Sequence, residues 1–161
     1  MSKKLMGIII FAVVIIAAVV LSSLLIKPEK EITGTLEEIM EDVYGSIPEE
    51  ELPMMLGNIE LTSENIEGFI GTADIKYTEA IANESMTGSI AHSVVLLRLE
   101  DESDAADAVK KIKDNVDPRK WICVGVEKDD VIVQNKGNLI ILIMVEDETT
   151  RTKLKEGFNN L

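Results

Sequence analysis

The sequence is short of the residue types from which most catalytic and metal sites are built. Its 161 residues include one cysteine, one histidine and one tryptophan. A single cysteine excludes an intramolecular disulfide, and with a single histidine it excludes the Cys and His sets that hold structural zinc. Phosphate-binding glycine loops and the HExxH, CxxC and GxSxG patterns do not occur. We therefore expect no enzymatic activity, no cofactor and no metal site.

Positive charge is also scarce. The chain has 16 Lys and Arg against 29 Asp and Glu, a formal charge of −13. All 29 acids but only 14 of the basic residues follow residue 26, which gives the rest of the chain a charge of −15. Such a surface repels the phosphates of nucleic acids and anionic lipids. Solubility is the simpler explanation of this acidity, and a cationic partner is the more specific one.

The apolar residues concentrate in one run, Leu5 to Ile26, which contains 22 consecutive uncharged residues. As a helix it would be about 33 Å long, enough for a hydrocarbon core of about 30 Å. Fifteen of its residues are Leu, Ile, Val or Phe, which favour insertion by several kcal/mol in total. We expect a transmembrane anchor over residues 5–26, behind a cytoplasmic stub of residues 1–4.

A cleaved signal peptide is the competing interpretation of this run. Its apolar region would be about 7–15 residues long and would end in an A-x-A-like site. The segment Val20-Leu21-Ser22 matches that site poorly. A lipid anchor would need a cysteine just after the run, and the sequence has none there. The numbers of positive charges before and after the span differ little, since Lys27 and Lys30 follow it. We expect a single-pass protein of the cell membrane with its domain outside the cytoplasm.

The remaining residues predict a linker over residues 27–34 and an acidic domain over residues 35–161. Two leading helices, the first with a capping box at Thr35 and Glu38, precede the order β-β-α-β-β-β-α. This order predicts an α+β fold in which helices pack on one face of an antiparallel sheet. The predicted helices cover residues 35–45, 62–70, 101–116 and 148–160. The predicted strands cover residues 75–82, 89–99, 121–126, 131–134 and 139–145.

One of these strands is apolar at every position. The segment LIILIMV, from Leu139 to Val145, is too short to span a membrane. It predicts a strand that is central in the sheet or covered on both sides.

Two candidate sites lie near the end of the third predicted helix. Arg119, Lys120 and Trp121 form a basic and aromatic patch that could bind an anionic group or stack a sugar, although they also suit an ordinary strand entry after a helix end. Cys123 could pair with His92 across adjacent strands as a nucleophile and its base. Nothing nearby in the sequence activates the thiol as a nucleophile, and a cysteine within a strand is more typical of a core.

The acidic run over residues 100–107 lacks the alternate ligands, central glycine and distal glutamate of a calcium loop. Acids at the start of the predicted helix and lysines near its end complement the helix dipole instead.

The segments LEEIMEDVY, SIAHSVVLLRLEDESDAADAVKKIKDNVDPRKWICVGVEKDDVIVQNKGNLIILIM and EGFNNL resemble a family of uncharacterised domains from Gram-positive bacteria. The similarity covers residues 36–161. The resemblance implies an envelope protein held by a lipoprotein signal or a single N-terminal span, and it brings no catalytic residues. This chain departs from the lipoprotein members because it lacks their modifiable cysteine, which favours a retained span.

Together these observations predict a membrane-anchored extracytoplasmic module that binds or scaffolds an envelope protein or other ligand without catalysis. The alternative is a hydrolase or transferase that acts on envelope material through His92 and Cys123 or through a site centred on Trp121. A third alternative is a domain that senses small cations.

Overall fold

A computed structural model of the protein describes residues 32–161. The predicted stub, the anchor and residues 27–31 of the linker lie outside the described residues. Five strands form an antiparallel sheet in the spatial order β1-β2-β3-β5-β4: β1 (Leu56–Glu60), β2 (Tyr77–Ser85), β3 (His92–Leu99), β4 (Ile132–Lys136) and β5 (Leu139–Val145).

Four helices accompany the sheet: α1 (Leu36–Tyr44), α2 (Ile66–Ile70), α3 (Ala105–Asn115) and α4 (Glu148–Asn160). The predicted capping box starts α1, where Glu38 N–H donates to Thr35 Oγ1 at 3.2 Å and Thr35 N–H donates to Glu38 Oε2 at 3.0 Å. The predicted α+β class is confirmed. Within residues 32–161, no helix combines the length and the apolar character that crossing a bilayer requires.

The helices cover both faces of the sheet, so the prediction of a single covered face is wrong. Helices α1 and α4 pack on the face that carries Leu96 and Ile141, and α2 and α3 pack on the face that carries Leu97 and Leu142. Neighbouring residues of a strand point to opposite faces. Since all seven residues of β5 are apolar and buried, both faces of the sheet need a covering layer.

The fifth strand is not the predicted one. Residues 121–126 form an irregular loop, because Val126 N–H donates to Pro118 O at 2.8 Å and Cys123 has a left-handed φ of 64°. The strand that completes the sheet is β1, in a region where the sequence predicts neither a helix nor a strand. It pairs with β2 at the edge of the sheet, where Leu56 lies opposite Ser85.

The chain enters the domain at a fixed point. Arg98 Nη1 donates to Ile32 O at 2.8 Å, and Arg98 Nη2 donates to Gly34 O at 2.9 Å. The guanidinium also forms a salt bridge with Glu79 at 2.5 Å. Residues 32–34 of the predicted linker therefore belong to the folded domain.

Candidate functional site

A cleft of about 570 Å³ opens at one end of the sheet, where β3 begins and β5 ends; we call it the cleft end. The register places His92 opposite Val145 there, and β2 ends beside the start of β1. The apolar lining comes from Leu52, Pro53, Ile90, Ala91 and Val145. This volume lies within the range of pockets that hold small ligands or the side chains of a partner.

His92 lines the cleft and is only 1% exposed. Its Nε2 lies 2.7 Å from the Tyr44 hydroxyl, which donates to Asn83 Oδ1 at 3.1 Å. Asn83 Nδ2 in turn donates to Asn58 Oδ1 at 2.8 Å. The Tyr44 hydroxyl thus links His92 Nε2 to the pair of amides and holds the imidazole ring in place.

Burial keeps both rings uncharged. It lowers the pKa of His92 to about 4 and raises the pKa of the Tyr44 hydroxyl well above its usual range. At neutral pH the imidazole of His92 is therefore uncharged. Among the described residues, no serine, threonine or cysteine side chain is hydrogen-bonded to His92.

Acidic residues surround this cleft. Glu51, Glu146, Asp147 and Glu148 all line it. Glu51 pairs with Lys153, and Asp147 caps α4 by accepting the Thr150 N–H at 2.7 Å. The Thr150 hydrogen bonds hold the pKa of Asp147 below its usual value. Glu146 and Glu148 are exposed and form no salt bridge with any residue of the range 32–161.

An exposed apolar surface adjoins the cleft. Four residues, which we call the apolar cluster, are the exposed large hydrophobic side chains of the described chain: Met54, Met55, Met86 and Ile122. Met86 N–H donates to Met55 O at 3.0 Å, and Ile122 N–H donates to Gly88 O at 2.8 Å, so three loops are joined. Because Met54 follows the cleft residues Leu52 and Pro53, the cluster and the cleft share a chain segment.

Backbone strain occurs at the same place. In residues 32–161, the non-glycine residues with positive φ are Met55 at 60° and Cys123 at 64°. A non-glycine residue in this region costs about 1–3 kcal/mol. Met55 belongs to the apolar cluster, and Cys123 directly follows Ile122, another residue of this cluster, in the chain. Such strain is concentrated at functional positions in proteins.

The predicted patch of Arg119, Lys120 and Trp121 makes its contacts within the domain. Lys120 Nζ lies 3.2 Å from the Glu84 carboxylate, 3.3 Å from Ser93 Oγ and 4.4 Å from the centre of the Phe69 ring.

Trp121 Nε1–H donates to Glu84 Oε1 at 3.0 Å, and Arg119 pairs with Glu127 at 2.8 Å. Burial lowers the pKa of Lys120, and the Glu84 charge opposes that shift. Lys120 and Trp121 thus have partners within the domain, whereas Arg119 is largely exposed. The role of the patch in ligand binding stays a prediction.

In the described chain, no hydrogen bond joins His92 to Cys123. His92 and Ser93 are neighbours in β3, so their side chains point to opposite faces of the sheet. His92 bonds to Tyr44 of α1, whereas Lys120, three residues before Cys123, bonds to Ser93. Cys123 is exposed rather than part of the core.

The features of the cleft end have little signal in the sequence. Tyr44 and His92 are 48 residues apart, and the apolar cluster joins three separate loops. Within the described part of the chain, no three His, Cys, Asp or Glu side chains are arranged to hold a metal ion. No protein-family model, no curated protein and no solved structure matches this chain. The resemblance to envelope domains therefore stays a prediction.

Proposed function

We propose that the protein is a single-pass membrane protein whose domain, outside the cytoplasm, binds a partner protein without catalysis. The anchor rests on the 22 uncharged residues from Leu5 to Ile26. The observation that carries the binding function is the apolar cluster, because it gathers exposed Met and Ile side chains on an otherwise strongly acidic domain. Exposed apolar surface that is rimmed by polar residues is typical of interaction sites.

The cluster has the chemistry of an adaptable contact surface. Met54, Met55 and Ile122 are 67 to 80% exposed, and burying a side chain of this size contributes about 1.5–3 kcal/mol. Flexible methionines can repack around different apolar partners. The surrounding charge of the domain favours a partner that is basic, since complementary potentials increase the association rate.

The location can be tested with the native cysteine. Cys123 is the one cysteine of the chain and is exposed, so a membrane-impermeant maleimide reports its side of the membrane. We expect labelling of the full chain in intact cells, at the same level as in permeabilised cells. Labelling that requires permeabilisation, or recovery of the labelled chain without its N-terminal segment in the soluble fraction, would contradict an anchored external domain.

The binding surface can be tested from the same position. A photoactivatable maleimide on Cys123 lies next to the apolar cluster and should form a discrete adduct with the partner in intact membranes. Replacing Met54 and Met86 by serine should reduce that adduct, whereas replacing both by leucine should preserve it, because leucine keeps the apolar surface. Equal adduct yields from the serine and leucine variants would rule out the cluster as the contact.

A further inference from the structure

One edge of the sheet has backbone groups that the fold does not use. Strand β1 is the first in the sheet order, so it has β2 on one side and no strand on the other. The residues of an antiparallel strand alternate between those that bond to the neighbouring strand and those that face away from it. Met86 N–H donates to Met55 O at 3.0 Å, and Leu61 N–H donates to Ala80 O at 2.9 Å. The odd-numbered positions of β1 therefore face β2, and the even-numbered positions face away.

The positions that face away are Leu56, Asn58 and Glu60. Within residues 32–161, Asn65 Nδ2 donates to Glu60 O at 3.1 Å, whereas the backbone N–H and C=O groups of Leu56 and Asn58 have no hydrogen-bond partner. Such a row of unpaired groups is a template for another strand. Lysine and proline commonly protect sheet edges, and β1 contains neither, whereas the opposite edge strand β4 carries Lys136.

The apolar cluster continues along this edge. A Cβ atom on Gly57 would lie 2.7 Å from Met86 Cε, so the Met86 side chain lies over β1 at Gly57. Ile59 is partly buried against the core that α2 and α3 cover, and Gly57 points to the same face because it is two residues away. A strand that paired with β1 would place every second side chain beside Met86 and Ile59.

The other face of β1 is polar. Asn58 and Glu60 are exposed, and Asn58 bonds through Asn83 to Tyr44 of α1. Directly opposite residues of an antiparallel pair share a face, with Cβ atoms about 4.5–5.5 Å apart. A lysine or arginine opposite Glu60 would therefore reach the Glu60 carboxylate.

We infer that β1 binds an extended segment of the partner as an additional antiparallel strand. This segment carries apolar residues opposite Gly57 and Ile59 and a lysine or arginine opposite Glu60. A second copy of the chain fits less well, because its β1 has no basic residue to place opposite Glu60 and because two domains with a charge of −15 repel each other. The inference rests on the proposed binding function and names the chemistry of the partner.

A short peptide with two patterns of N-methylation tests the pairing. The probe is a capped, fluorescein-labelled peptide with the sequence lysine-valine-threonine-valine-threonine, in which the lysine pairs with Glu60 and the valines pair with Ile59 and Gly57. N-methylation of both threonines blocks donors that face β1, whereas N-methylation of both valines blocks donors that face solvent. Fluorescence anisotropy measures binding to the full chain in an uncharged detergent.

The peptide methylated at its threonines should bind at least about tenfold more weakly than the unmodified peptide, since each lost hydrogen bond weakens binding by about fivefold. The peptide methylated at its valines should bind within about threefold of the unmodified one. Equal affinities of the two methylated peptides, or no saturable binding of the unmodified peptide, would overturn the inference.

The lysine position tests the contact with Glu60. Replacing the lysine of the peptide by glutamate should weaken binding at least about threefold. The variant Glu60→Gln should bind the lysine and glutamate peptides with nearly equal affinity, because the carboxylate that distinguishes them is gone. A preference for lysine that persists unchanged in Glu60→Gln would overturn the inference.

A matched pair of variants tests the same edge in the protein. Asn58→Pro and Asn58→Ala both lose the side-chain bond to Asn83, but only proline removes the outward N–H. Edge strands tolerate proline at positions whose N–H faces solvent. Asn58→Pro should bind the peptide at least about tenfold more weakly than Asn58→Ala, with Trp121 fluorescence showing that both are folded. Equal affinities would overturn the inference, and if proline prevents folding, the methylated peptides decide.

Two further results separate a second copy and the proposed function from this inference. A dimer of the full chain in sedimentation that persists in Asn58→Ala and dissociates in Asn58→Pro would assign the edge to a second copy and overturn the partner strand. If the two methylated peptides bind equally while the Cys123 adduct still depends on Met54 and Met86, the binding function stands and strand pairing is excluded. If the peptide pairs with β1 while the adduct is the same in the serine and leucine variants, the apolar cluster is excluded instead.

Discussion

Acidification from pH 6.5 to pH 4 is expected to destabilise the domain through His92. Burial lowers the pKa of His92 to about 4 in the folded state, whereas an exposed histidine has a pKa of about 6.5. In this interval the unfolded chain binds a proton that the folded chain does not bind. The stability contributed by the neutral imidazole is therefore complete above pH 6.5 and is lost as the pH falls toward 4.

The magnitude follows from the difference between the two pKa values. Each pKa unit corresponds to about 1.4 kcal/mol, so the free energy of unfolding should fall by about 3 kcal/mol across the interval. Asp101 and Asp147 have pKa values below 3.8 in the folded state because each accepts a backbone hydrogen bond. Their contributions are lost mainly below pH 4, and the part lost above pH 4 is common to the wild type and to a variant without the histidine.

Urea unfolding of the full chain in an uncharged detergent measures this effect. Trp121 is the one tryptophan and lies in the folded domain, so its fluorescence follows the unfolding of that domain. The control is His92→Gln, which keeps an N–H near Tyr44 but cannot titrate. The wild type should lose about 3 kcal/mol between pH 6.5 and 4 and the variant less than about 1 kcal/mol. Parallel pH profiles for the two proteins would refute the buried neutral histidine.

The remaining predictions concern packing and charge and use the same assay. Gly157→Ala should destabilise the domain by about 1–3 kcal/mol despite the better helix propensity of alanine, because a Cβ there would lie 2.2 Å from Val43 O. An unchanged midpoint of urea unfolding would contradict this close contact between α4 and α1. Arg98→Ala should cost about 1–3 kcal/mol and expose the start of the domain to protease, since it removes the donors to two backbone carbonyls; unaltered digestion would contradict that role. Glu84→Gln should cost about 1–3 kcal/mol, because the mostly buried Lys120 ammonium loses its carboxylate, and no loss would show that the pair is not coupled.

Local signals in the sequence predicted several elements closely. The run from Leu139 to Val145 forms β5 with these bounds, and α4 covers the predicted residues 148–160. The capping box at Thr35 and Glu38 is present at the start of α1. These features depend on neighbouring residues in the chain, which the sequence displays directly. The apolar run also indicates that both faces of the sheet are covered. The prediction that helices cover one face did not take this into account.

The errors occur where distant contacts decide the structure. Residues 121–126 have strand-forming side chains, yet they have no neighbouring strand, and Ile122 is 72% exposed. The segment Leu56–Glu60 contains Gly57 and Asn58, which favour loops, and it becomes a strand because β2 offers an edge for pairing. The cleft end depends on such contacts throughout. The hydroxyl that fixes His92 comes from Tyr44, which is 48 residues earlier in the chain.

The position dependence of cross-linking is the most direct test of a binding surface at the cleft end. The same photoactivatable maleimide is attached in intact membranes either to native Cys123 or to the variant Cys123→Ser with Glu102→Cys, whose cysteine is at the opposite end of the sheet. The account predicts a discrete partner adduct from Cys123 and little from position 102. Equal adducts from both positions, or an adduct from position 102 alone, would contradict it.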